Sequence, residues 1–192
     1  MKILGINGSP RLGGNTDTLL DQSLKAAKDR GWDAEKIILN QMDIIPPQEK
    51  EYYEVNEEGL SPIEDDMHII YQKVKECDAI IVASPVFFGS LSAQTKIMID
   101  RFQCVWVSKY LLDKDIFTKK IAGGFICVSA AHRKDFFQNA KSIVRNLFKV
   151  IKAKYTGELF CHGLEEKEDA HKHPDFLDSA YELGKKITSK KP

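Results

Sequence analysis

The sequence holds only four cysteines, and no two of them stand in a Cys-x-x-Cys spacing. Cys77, Cys104, Cys127 and Cys161 are widely separated, which excludes the common zinc, iron–sulfur and thioredoxin-like motifs. Each lies in or beside an apolar run, where buried reduced thiols are expected. An excess of basic charge is missing too. Lys plus Arg number 28 and Asp plus Glu number 28, so the formal net charge is zero. A protein that binds nucleic acid by neutralising phosphates carries a basic excess, so nucleic acid is not an expected partner. The same balance disfavours a small acidic electron carrier that docks by charge. No apolar run reaches bilayer-spanning length, and Met1–Ile6 turns polar at Asn7, too soon for a signal peptide. A soluble, cytoplasmic protein that does not engage a membrane is expected. Internal repeats, low-complexity tracts and interdomain linkers are also absent.

What remains is ordinary globular material. Of the 192 residues, 43% are hydrophobic and 29% charged, enough for one domain whose core needs neither disulfides nor metal. Short apolar runs alternate with helical patterns along the chain. Strands are expected at Lys2–Asn7, Ala34–Leu39, Ala79–Ala83, Ile121–Val128 and Lys154–Phe160. Between them, Leu20, Leu24 and Ala27 share a helical face, and Ile63, Met67, Ile70, Val74 and Cys77 share another. A further helix is expected from Leu91 to Ser108, and Phe137, Ala140, Val144, Leu147 and Ile151 mark the next. The last is lined by Phe176, Ala180, Leu183 and Ile187, with Lys185, Lys186, Lys190 and Lys191 at its solvated end. Five strands alternating with helices imply a doubly wound parallel sheet with helices on both faces, in the flavodoxin-like order 2-1-3-4-5. A ligand then sits at the carboxyl ends of strands 1 and 3, where the strand order reverses. One stretch does not fit an element: residues 41–61 form a long loop, expected to be a dimer contact or a lid.

Two loops at the reversal point carry chemistry. The first reads Asn7-Gly8-Ser9-Pro10-Arg11-Leu12-Gly13-Gly14-Asn15-Thr16. It supplies glycines for close approach, hydroxyls, a fixed cation and a helix N-terminus, which together suit a phosphate. It matches neither the P-loop nor the GxGxxG fingerprint. The bland alternative is a simple strand–turn–helix connection with Asn15 as N-cap. An acidic receiver domain is excluded, because no carboxylate stands at the end of strand 1 or strand 3. The second loop, Ser84-Pro85-Val86-Phe87-Phe88-Gly89-Ser90, is stiff and aromatic, suited to a flat heteroaromatic ring.

Taken together, Gly8-Ser9-Pro10-Arg11, Gly14-Asn15-Thr16, Ser84 to Ser90 and Ile99-Asp100-Arg101 resemble the NAD(P)H-dependent FMN reductase family. The resemblance is closest to its iron–sulfur flavoprotein branch. It implies that Ser9, Arg11, Asn15 and Thr16 hold the FMN phosphate. Pro85, Val86, Phe87, Phe88 and Gly89 would contact the ribityl chain and ring. In the third loop, Ser129, Ala130 and His132 would approach the flavin, with Arg133 beside them or in solvent. Members of that branch carry a cysteine cluster between strand 2 and the following helix, and residues 41–61 here contain no cysteine. No iron–sulfur cluster is therefore expected. The implied activity is hydride transfer from NADPH or NADH to flavin, then reduction of a small acceptor such as a flavin or quinone, with no catalytic side chain required. A homodimer or homotetramer is implied as well. The alternatives are a non-enzymatic flavodoxin-like electron carrier and a flavin-binding interaction protein. His162, His171 and His173 read as solvated surface rather than a metal site.

Overall fold

The computed structural model describes residues 1–189, so Lys190 and Lys191 lie outside the described residues. The chain begins with β1 (Lys2–Asn7), α1 (Asn15–Asp29) and β2 (Asp33–Ile38). After the long loop come α2 (Met67–Glu76), β3 (Ala79–Phe87), the two-residue β4 (Ser90–Leu91), α3 (Ala93–Arg101) and α4 (Gln103–Leu111). The last elements are β5 (Ile121–Ser129), α5 (Lys134–Val150), β6 (Ala153–His162) and α6 (Pro174–Ile187). The main sheet runs β2-β1-β3-β5-β6 with every pair parallel, and β4 is a short antiparallel arm on β3. Setting β4 aside, this is the expected 2-1-3-4-5 order.

Alternation along the central strands divides the core in two. In β3, Ile80 and Val82 face the α2, α3, α4 and α5 side, while Ala79, Ile81 and Ala83 face α1 and α6. Both faces are covered, which is why these strands read as unbroken apolar runs. On the α1–α6 face the helices approach closely: the Ser23 hydroxyl donates to the Ala180 carbonyl at 2.6 Å.

Strand ends otherwise shift by one or two residues, but three expected boundaries move further, each for a physical reason. The helix expected from Leu91 to Ser108 is two helices, broken at Phe102. There the Tyr71 hydroxyl donates to the Arg101 carbonyl at 2.5 Å, and the Val105 N–H turns to Phe102 instead. Ser92 caps α3, its hydroxyl accepting the Thr95 N–H. The helix expected to include Ile63 starts only at Met67, whose N–H is taken by the Asp65 carboxylate at 3.0 Å. Finally, β3 continues past Ala83 to Phe87, because Val86 and Phe87 pair with Leu91 and Ser90.

The long loop is tied down rather than free. Arg101 is fully buried, and its guanidinium pairs with the buried Asp65 carboxylate. The same guanidinium donates to the Ile45 carbonyl at 2.8 Å and the Ser61 hydroxyl at 3.1 Å. Asp65 also accepts the Ile45 N–H at 2.8 Å. Further along, the Ser108 hydroxyl donates to the Gly59 carbonyl at 2.6 Å. Removing one partner of a buried pair leaves an uncompensated charge in a poorly solvating interior. Arg101→Met is therefore expected to cost about 3–5 kcal/mol in urea denaturation, whereas the double variant Arg101→Met/Asp65→Asn should lose clearly less.

Candidate functional site

The ends of β1 and β3 are locked together before any ligand is considered. The Gly8 N–H donates to the Ala83 carbonyl at 2.8 Å, and the Ser92 hydroxyl donates to the Gly8 carbonyl at 2.6 Å. Ser92 N–H in turn reaches the Ser84 hydroxyl at 3.1 Å, and the Ser92 and Thr95 hydroxyls lie 2.8 Å apart. Ser84, Ser92 and Thr95 are fully buried. Only glycine fits at position 8, since a Cβ there would stand 1.8 Å from Thr95 Oγ1. One compact set of hydroxyls thus sets the spacing of the first and second loops.

The first loop then folds on itself. Asn7 Oδ1 accepts the Ser9 N–H at 2.9 Å, Ser9 Oγ accepts the Arg11 N–H at 3.1 Å, and the Gly14 N–H returns to the Arg11 carbonyl at 3.2 Å. Gly14, not Asn15, occupies the N-cap of α1, and no side chain caps that end. The helical ladder opens with Thr18 N–H to the Gly14 carbonyl, so the N–H groups of Asn15, Thr16 and Asp17 precede it. These form the anion-seeking end of the helix. Asp17 would oppose an anion there, but it accepts the Gly13 N–H at 3.0 Å and pairs with Lys36 at 2.7 Å. Asn7 Nδ2, at the root of the loop, is a buried donor without a partner among the described residues. A phosphate ligand fits this cradle of spare donors.

The structure brings Ser9, Arg11, Asn15 and Thr16 together, with Arg11 exposed and the other three largely buried. Two of them are already engaged. Asn15 Nδ2 donates to the Glu166 carbonyl at 2.7 Å, and its Oδ1 accepts the Ala170 N–H at 2.9 Å. Arg11 Nη1 donates to the Glu165 carbonyl at 2.9 Å.

In the second loop, Phe88 and Gly89 form the turn between β3 and β4. Their φ values are +50° and +74°, the double left-handed pattern of a type I′ hairpin. A bulky aromatic at positive φ is an outlier. The Phe88 side chain is also completely exposed, while Phe87 is about half covered. From α5, Asn139 Nδ2 grips the Gly89 carbonyl at 2.8 Å, and the Phe136 ring packs under Gly89. Pro85 and Val86 lie partly buried beneath the tip.

The third loop reaches the same edge, since β5 lies beside β3 with Pro85 opposite Val128. Ser129 is buried and its hydroxyl accepts the Ala131 N–H at 3.1 Å. Ala130 is exposed. His132 packs against His162 in a tilted arrangement, 4.6 Å between ring centroids, and Arg133 pairs with Asp135 at 2.6 Å while lying over Phe136. Among the described residues no group of three or more His, Cys, Asp or Glu side chains is arranged to hold a metal. All four cysteines are buried, and burial pushes the Cys77 and Cys161 thiols up to about 12. Asn139, Phe136 and residues 165–170 carry no local sequence signal that points to the site. The first two sit within a helical pattern that signals only packing, and the last reach the site across a separation of about 150 residues.

A family model described as NADPH-dependent FMN reductase matches residues 1–160. An iron-sulfur flavoprotein of Methanocaldococcus jannaschii is 38% identical over 131 residues, which are 68% of this chain and 63% of that protein. Another, from Methanosarcina thermophila, is 38% identical over 101 residues, 53% of this chain and 52% of that protein. The match thus spans between half and two thirds of each relative. A solved structure of a flavone reductase superposes with a TM-score of 0.73 at 19% identity, covering 98% of this chain and 62% of its own, a likeness of fold.

The exposed Phe88 ring contributes nothing to the core while its backbone is held in an unfavourable region. Phe88→Asn, which creates the Asn-Gly pair that type I′ turns favour, should stabilise the protein by about 0.5–1 kcal/mol in urea denaturation. A loss of stability instead would show that the ring packs against the chain.

Proposed function

The chain belongs to the NADPH-dependent FMN reductase family, and from that membership we propose that it is an FMN-binding, NAD(P)H-dependent oxidoreductase. The observation that carries this reading is the buried Gly8–Ser92–Ser84 connection. It sets a loop of free N–H donors beside an aromatic hairpin at the point where the strand order reverses. A ligand with a phosphate at one end and a flat ring at the other matches that pairing.

In this reading Ser9, Thr16 and the N–H groups at the start of α1 hold the phosphate, with Arg11 as the cation. Asn15 contributes its backbone N–H, its amide being bonded to Glu166 and Ala170. Pro85 to Gly89 form one wall for the ring, and Ser129, Ala130 and His132 border the other side. Lys36 neutralises Asp17, so the helix end keeps its attraction for an anion. When bound, FMN supplies the hydride and electron chemistry, taking hydride from NADPH or NADH and reducing a small acceptor such as a flavin or quinone. The protein's part is to bind, orient and shield. Flavin is then the single redox centre, because residues 41–61 carry no cysteine.

We further propose that residues 1–192 act as one domain in the cytoplasm. No helix among the described residues is long and apolar enough to cross a membrane. A homodimer or homotetramer is supported by Trp106, Tyr110, Leu111 and Leu112, which stand exposed on and just beyond α4. Trp106 and Tyr110 border a groove of about 470 Å³ between α3–α4 and α5, which Phe102, Ile143 and Leu147 also line.

Three measurements test these statements. The purified protein should show flavin absorbance or take up FMN on titration, and should oxidise NADPH or NADH when a flavin or quinone is supplied; failure of both removes the proposal. Arg11→Ala should weaken FMN by about tenfold or more and riboflavin far less, because only FMN offers a charged acceptor. Tyr110→Asp should lower the mass measured by light scattering if α4 forms the subunit contact, and an unchanged oligomer would place that contact elsewhere.

A further inference from the structure

Residues 163–172 lie beyond the stretch matched by the family model, yet they are bonded to the first loop at three points. The segment leaves β6 at Gly163 and is fixed at once by the Leu164 N–H, which donates to the Ser129 carbonyl at 3.2 Å. The Glu165 and Glu166 carbonyls then accept from Arg11 and Asn15, and the Ala170 N–H closes back onto Asn15. Leu164 and Ala170 are buried in the α1–α6 side of the core, so the segment is seated at both ends. Within it, Asp169 accepts the Glu165 and Glu166 N–H groups at 3.0 and 2.7 Å and pairs with Lys172 at 2.8 Å. The acceptors that the segment offers to Arg11 and Asn15 are thus peptide carbonyls.

Lys167 lies between these anchors. Its Cε and Nζ stand 3.7 and 3.8 Å from the place a Cβ on Gly13 would occupy, so the side chain lies over the loop itself. The ammonium has no carboxylate partner among the described residues. Lys36 pairs with Asp17 and Asp21, and Lys172 with Asp169, while the Glu165, Glu166 and Glu168 side chains of the segment stand in no ion pair among the described residues. Glycine is favoured at position 13 by its backbone, whose φ of +64° strains other residues, while a Cβ there would only touch the lysine side chain at ordinary contact distance.

From this placement we infer that residues 163–172 form a strap which brings Lys167 to the first loop as a second cation, beside Arg11, for a phosphate monoester dianion. This rests on the reading of the first loop as the FMN phosphate site. Asn15 acts in it as the latch that seats the strap, so its side chain is a positioning group and Lys167 meets the charge. A neutral flavin gains nothing from Lys167, so the strap selects the phosphorylated form.

The test compares FMN with riboflavin, using flavin fluorescence to measure both affinities in the wild type, Lys167→Gln and Lys167→Arg. Lys167→Gln should lower the FMN-to-riboflavin affinity ratio about three- to tenfold at low salt, the range of one charge-assisted contact at a partly exposed site. Riboflavin binding should stay unchanged, Lys167→Arg should restore most of the ratio, and added salt should shrink the difference. An unchanged ratio in Lys167→Gln, with the wild type still preferring FMN, overturns the role of Lys167 and leaves the FMN site standing. Equal weakening of both flavins overturns it also, because the effect would then be on the fold. A wild type without preference for FMN overturns the phosphate site itself, and the strap's function with it.

Discussion

The candidate site depends on a buried cluster of hydroxyls. Ser84, Ser92 and Thr95 join the Gly8 carbonyl to the end of β3, beside the direct bond from the Gly8 N–H to the Ala83 carbonyl, with every partner out of water. In such surroundings a hydrogen bond is hard to give up, because a buried donor or acceptor left alone costs about 1–3 kcal/mol. The spacing between the donor-rich loop and the aromatic hairpin is therefore set by the protein's own folding. Ligand binding meets walls already in position, and little ordering remains to be done.

Much of the fold could be read from the sequence, since its signals are local. Apolar runs such as Ala79–Ala83 mark strands covered on both faces, and the spacing in α1 and α5 marks helices with one buried side. The strand order followed from the alternation of those elements. Illegible features came from contacts between distant residues. Phe102 breaks a helix because Tyr71, thirty-one positions earlier, captures the carbonyl of Arg101. β3 runs on to Phe87 because the Phe88–Gly89 turn folds the chain back, with Asn139 of α5 holding it.

The site shows the same division. The residue types in the first loop pointed to an anion, and the loop does present a helix end and a buried spare donor on Asn7. Composition could not show which of those side chains would be free. Asn15 is spent on Glu166 and Ala170, and Arg11 reaches Glu165, partners that no local pattern announces. The long loop is similar. Its lack of cysteine was plain, but its attachment through Arg101 and Asp65 joins residues thirty-six apart by an ion pair that a charge count treats as two solvated ends.

The bonds from Asn15 to Glu166 and Ala170 span 151 and 155 positions of the chain. This separation has a consequence for the order of events during synthesis. Domains made on the ribosome gain their contacts from the N-terminus onward. The first loop emerges well before its latch, which follows about 150 positions later. A nascent chain can have β1, β3 and the hydroxyl cluster assembled while the loop still lacks its cover. Completion of the phosphate end therefore waits until residue 170 has been made, so a nascent chain stopped short of the strap would present an open, unlatched loop.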